Sequence, residues 1–173
     1  MKQIILTCAL LISALSFAQQ KTSSLSFLGG ITEKKGLGFM ANYTYSTNNS
    51  NYEFALIHSL FKDENFENNP INYSNTTLNV GYLNTVVRNT NNSIALNLGV
   101  GVIGGYESVP KQNEPIIVNS KSGFIAGAYA VIQTDFYISD TFSIIVRAQE
   151  NYLAISTSGK FNPYLAGGVK FNL

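Results

Sequence analysis

Residues 160–173 alternate with a period of two. Phe161, Pro163, Leu165, Gly167, Val169, Phe171 and Leu173 are apolar or small, and the residues between them, including Lys160, Asn162, Lys170 and Asn172, carry every charge and amide. Successive side chains of a strand point to opposite faces, so this is a strand with one dry and one wet face. It is long, and it has an aromatic near its end. Its backbone donors and acceptors need partners, and a neighbouring sheet is what supplies them. The rest of the chain has to be that sheet.

The same alternation recurs upstream. Leu25, Phe27, Gly29 and Ile31 face away from Ser24, Ser26 and Gly30. After a charged turn at 32–36, Leu37, Phe39, Ala41, Tyr43 and Tyr45 alternate with Gly38, Met40, Asn42 and Thr44. After turn residues at 47–51, Tyr52, Phe54, Leu56, His58 and Leu60 alternate with Glu53, Ala55, Ile57 and Ser59. Residues 72–87 carry the weakest pattern, with Leu78, Val80 and Tyr82 set against Thr77, Asn79 and Gly81. A turn at 88–92 leads to Ile94, Leu96, Leu98, Val100, Val102 and Tyr106, opposite Asn97, Gly99, Gly101 and Glu107. Then Phe124, Ala126, Ala128, Ala130, Ile132, Phe136 and Ile138 oppose Tyr129, Gln133, Asp135 and Tyr137. After Ser139-Asp140-Thr141, Phe142, Ile144, Val146 and Ala148 oppose Ser143, Arg147, Gln149 and Asn151.

That makes eight strands and no helix pattern. Consecutive strands on short links are antiparallel neighbours. The connections at 47–51, 88–92 and 139–141 then fall on one side and are short. The long ones, 62–71 and 108–121, fall on the other. Short turns on one rim and long loops on the opposite rim mark an outer-membrane barrel. Period alone leaves open whether the dry face points outward, as in a membrane barrel, or inward, as in a soluble lipocalin-like one. Strand length, loop asymmetry and dry faces rich in Ala and Gly, which would leave a soluble core underfilled, favour the membrane.

Residues 1–18 stand apart. Lys2, an apolar run over 4–17 and the small residues Ser16 and Ala18 read as a secretory signal cut after Ala18. The expected fold is therefore all-β: an eight-stranded antiparallel up-and-down outer-membrane-type β-barrel, residues 19–173, after a cleaved signal peptide. Cys8, the one cysteine, lies in the leader, so the barrel has no disulfide or thiolate chemistry.

Signals for chemistry are sparse. Lys and Arg (11) nearly balance Asp and Glu (10) without a basic cluster, so direct nucleic-acid binding is not expected. The single histidine, His58, is adjacent to Ser59, and adjacent strand residues face opposite sides, so the two cannot form a nucleophile–base pair. No cofactor or metal site is expected. The glycines of residues 99–105 lack the Gly-Lys-Ser/Thr of a phosphate loop and relieve crowding in a narrow barrel instead. In this register Glu53, Glu107, Gln133, Asp135 and Arg147 point inward. Gln133 stands opposite Arg147, with Asp135 as its diagonal neighbour. An acidic site is one reading of them; a paired polar network filling the lumen is the plainer one.

Several segments resemble a known family. They are residues 96–107 with Gly105-Tyr106-Glu107, residues 121–128 with Gly123-Phe124, residues 135–140, Arg147-Ala148-Gln149-Glu150, and the ending Gly167-Gly168-Val169-Lys170-Phe171. Over roughly the last 80 residues the chain is similar to the TraO family of conjugal transfer proteins from Bacteroidetes conjugative transposons. The resemblance implies a non-enzymatic envelope component of a conjugative transfer apparatus, with outer-membrane lipid and other transfer proteins as partners. The alternatives are a free-standing structural or adhesin-type barrel, a secreted ligand-binding barrel and, more remotely, an embedded lipid hydrolase.

Overall fold

The computed structural model of the chain describes residues 23–33, 36–47, 49–63, 71–109, 122–156 and 159–173. Residues 1–22, with the expected secretory signal, most of both long connections and parts of the shorter ones lie outside them. The eight strands are β1 (Ser23–Thr32), β2 (Leu37–Thr47), β3 (Ser50–Asp63), β4 (Ile71–Arg88), β5 (Ile94–Ser108), β6 (Gly123–Tyr137), β7 (Phe142–Ile155) and β8 (Phe161–Asn172). Each pairs antiparallel with the next, and β1 pairs with β8, so the sheet closes into a barrel without an edge. The closing register runs from Ser24↔Asn172 to Thr32↔Tyr164.

The apolar face points outward. Phe39, Leu56, Val100 (63 % exposed), Phe124 and Leu165 (53 %) stand on the outer wall, and the alternate positions are buried inside. A soluble barrel would reverse this arrangement, so the secreted ligand-binding alternative fails on the orientation of its faces. Aromatic pairs collect near both rims. Phe142 meets Phe171 edge-on at 5.7 Å near the short turns, and Tyr152 meets Phe161 edge-on at 5.4 Å near the long loops.

The weakest pattern belongs to the longest strand. β4 has 18 residues and alternates through Tyr82, Leu83 and Asn84, then breaks register between Thr85 and Val87. A bulge places two residues opposite one and spoils the period there. Val86 and Val87 are both exposed as a result.

The interior is more apolar than the alternation suggests. Leu28, Met40, Ile57, Ile145 and Tyr164 form one buried cluster, and Leu83, Ile103, Tyr129, Val131 and Leu153 form another. Eight strands leave a lumen that side chains can fill. Tyr129 fits because Gly81 and Gly101 face it. A Cβ on Gly81 would stand 2.9 Å from the Tyr129 Cζ and closer still to its hydroxyl. Tyr164 is likewise accommodated by Gly38, where a Cβ would lie 2.7 Å from the Tyr164 ring.

Candidate functional site

Arg147 is fully buried at the centre of the lumen. It projects from β7 toward β3, which stands four strands away around the eight-stranded wall and so opposite it. Its Nη1 donates to Glu53 Oε2 at 2.9 Å and its Nη2 to Glu53 Oε1 at 2.7 Å, a two-pronged ion pair across the barrel. Nη1 also donates to Gln133 Oε1 at 3.0 Å. Nε and Nη2 both donate to Gln149 Oε1, at 3.0 and 2.6 Å. All five guanidinium N–H groups thereby have acceptors, which a buried arginine requires. Glu53 also accepts from the Tyr129 hydroxyl and from Asn42 Nδ2 at 3.1 Å.

Gln133 links this pair to a second one. Its Nε2 donates to Asp135 Oδ1 at 2.8 Å, and Asp135 Oδ2 accepts from Lys170 Nζ at 2.9 Å and Asn97 Nδ2 at 3.3 Å. The two carboxylates and two cations cancel in charge. The expected diagonal contact between Asp135 and Arg147 is therefore not the one that forms. Lys170, reaching from β8, takes Asp135, and Arg147 takes the carboxylate across the lumen.

Of the five inward polar residues read from the sequence, Glu53, Gln133, Asp135 and Arg147 are joined in one network. Glu107 is buried near the opposite rim, where it accepts from Ser156 Oγ at 3.1 Å. Tyr129, Gln149, Asn42, Asn97 and Lys170 also belong to the network, which runs on from Gln149 to Asn151 and from Asn97 to Thr85. Each sits on an inward position, and that parity is the only sequence signal they carry.

The network occupies the half of the barrel nearest the short turns. Glu53 lies three residues into β3, and Asp135 lies two residues before the end of β6. Outside it, a polar vestibule of about 890 Å³ opens at that rim, lined by Arg88, Asn97, Asp135, Asp140, Lys170 and other polar residues. The side chains of the network close the floor of this vestibule.

The remaining motif positions divide between the two faces. Tyr106, Phe124, Glu150 and Phe171 point outward. Gly105 and Gly168 are confined by the neighbouring strand: a Cβ would lie 2.8 Å from Thr77 Cα in the first case and 2.7 Å from Leu28 Cα in the second. Gly123 pairs with Glu107 at the start of β6. His58 is on the outer wall, with Nδ1 2.9 Å from Thr76 Oγ1, and Ser59 is buried on the inner side. Among the described residues no three of His, Cys, Asp and Glu cluster closely enough to hold a metal ion.

Comparison with known proteins adds three findings. Residues 20–173 match the family model described as Conjugative transposon protein TraO. The match thus runs through the N-terminal half as well as the segments that carry the resemblance. The barrel is similar to the crystal structure of Neisserial surface protein A (NspA), with a TM-score of 0.60 at 12 % identity over 87 % of this chain and 94 % of that one. It is also similar to Ail, the attachment invasion locus protein of Yersinia pestis, with a TM-score of 0.55 at 12 % identity over 86 % and 95 % of the two chains. At such identities the likeness is one of fold alone. No curated protein matches the chain.

Proposed function

We propose, from the premise that this chain belongs to the conjugative transposon protein TraO family, that it is a non-enzymatic outer-membrane component of a conjugative DNA-transfer apparatus. After removal of residues 1–18 it crosses the outer membrane as a small barrel and anchors partner transfer proteins at its rims. The observation that carries this reading is the family match, which takes in the whole barrel. The closed lumen sets the division of labour. Arg147, Glu53, Gln133 and Gln149 fill the cross-section, so the barrel is an anchor and not a conduit for DNA. The near-neutral charge likewise supplies no basic surface for phosphate.

The test is mating efficiency from a donor carrying an in-frame deletion, then from the same donor with the gene restored. A large loss that restoration recovers supports the proposal. Unchanged transfer, with the protein still in the outer-membrane fraction, overturns it in favour of a free-standing barrel.

A further inference from the structure

Glu150 is the one acidic side chain on the outward face of a strand among the described residues, and it has no hydrogen bond or ion pair there. Its outward neighbours on the adjoining strands, Ala130, Ile132, Pro163 and Leu165, are all apolar. A carboxylate among them is costly unless something supplies the opposite charge.

The wall beside it is not flat. The registers Glu150↔Pro163, Ala130↔Glu150, Val100↔Ala130 and Tyr82↔Val100 make one row square to the strands, from β8 round to β4. A furrow of about 650 Å³ follows this row, with Ala130 and Ala148 among its small lining residues and Leu165 beside them. The row covers four strand spacings, about 19 Å at roughly 4.8 Å each. Barrel strands lean by about 35–45°, so a row square to them slopes down the wall. Its Glu150 end lies two residues from the Tyr152–Phe161 pair at the long-loop rim. At its other end, Tyr82 Oη is 2.9 Å from Ser50 Oγ, where β3 begins at the opposite rim.

We propose that this furrow is a lipid site, occupied by an acyl chain of a phospholipid whose primary ammonium headgroup pairs with Glu150. The inference rests on the membrane placement proposed above. The furrow begins at an unpaired carboxylate two residues from the aromatic pair at the long-loop rim and continues over an apolar floor. An ammonium with N–H donors can bond the carboxylate as well as neutralise it, and a trimethylammonium cannot.

The experiment uses the mature protein, first inserted into vesicles and checked for the compact, heat-modifiable band. The folded protein is then titrated with phosphatidylethanolamine, phosphatidylcholine or phosphatidylglycerol in detergent, and retained lipid is counted by native mass spectrometry. One phosphatidylethanolamine is expected to stay bound, in preference to the other two. Its retention should fall roughly tenfold or more in Glu150→Gln, for the loss of a charge-assisted bond. It should fall also in Ala148→Phe, which fills the furrow. Equal retention of phosphatidylethanolamine and phosphatidylcholine, or no effect of Glu150→Gln, overturns the lipid site and leaves the membrane placement standing. Failure of the wild-type protein to insert into vesicles overturns both.

Discussion

Arg147 and Glu53 hold each other across the full width of the lumen, through two bonds of 2.9 and 2.7 Å from strands that no hairpin joins. Removing one partner leaves the other as a buried, uncompensated charge. Arg147→Met or Glu53→Leu alone is expected to cost about 3–5 kcal/mol, and the double variant is expected to recover most of the loss. The temperature at which the compact gel band converts to the unfolded one, measured for all four proteins, closes the cycle. Simple additivity of the two single losses would show that the pair is not coupled.

Leu165 stands on the outer wall, beside Ile31 on one side and Ala148 on the other. Leu165→Arg is expected to lower folded yield in the outer membrane, with a cost of about 2–4 kcal/mol if the position is near the bilayer midplane. Thr141→Arg, in an exposed turn, should leave yield unchanged. Equal yields would mean that this wall does not meet lipid.

Gly81 leaves room for the end of the Tyr129 side chain. Gly81→Ala should push the phenol away from Glu53 and destabilise the barrel by roughly 1–3 kcal/mol, the usual range for overpacking. In a Tyr129→Phe background, which lacks the crowded hydroxyl, the same change should cost much less. Gly104→Ala is the outward control, since the nearest atom to its new Cβ is 3.9 Å away on Phe124. Urea unfolding in detergent micelles measures all of these. A cost for Gly81→Ala that ignores the Tyr129 background would refute the steric account.

Asn42 and Asn79 are both buried asparagines, but only one has work for its amide. Asn42 Nδ2 donates to Glu53, whereas neither amide atom of Asn79 has a partner among the described residues. Asn79→Leu removes two unsatisfied polar atoms and is expected to be neutral or stabilising. Asn42→Leu forfeits a bond to a charged group and should cost about 1.5–3 kcal/mol. Thermal midpoints that shift alike for the two variants would contradict this distinction.

The strands and their faces were legible because period-two alternation is a local property. Phe161, Leu165 and Phe171 declare the outer wall within a dozen residues, and Glu53 and Arg147 declare themselves inward by the same parity. Which inward residues meet is not local. Gln133 and Arg147 share a hairpin and could be matched by counting back from the turn. Glu53 lies 94 positions from Arg147 and reaches it only through closure of the sheet. Lys170 lies on the plainly alternating β8, but nothing in that strand names Asp135 as its partner. The apolar share of the lumen was obscured for another reason. Met40, Ile57 and Leu153 sit at inward positions on strands whose other inward residues are mostly polar or small, and their clustering appears only when the strands curl round them.

Seven of the eight seams join strands that follow one another along the chain, and only β1 with β8 brings together its two extremes. The entropy of drawing distant segments together is charged almost entirely to that seam, so it is the step expected to govern the rate of barrel formation. Until it forms, the sheet has two open edges, each able to pair with another chain. Loss of the last dozen residues would therefore do more than shorten the protein. It would convert a barrel whose strands all have partners into a template for aggregation, with β1 and β7 as the exposed edges.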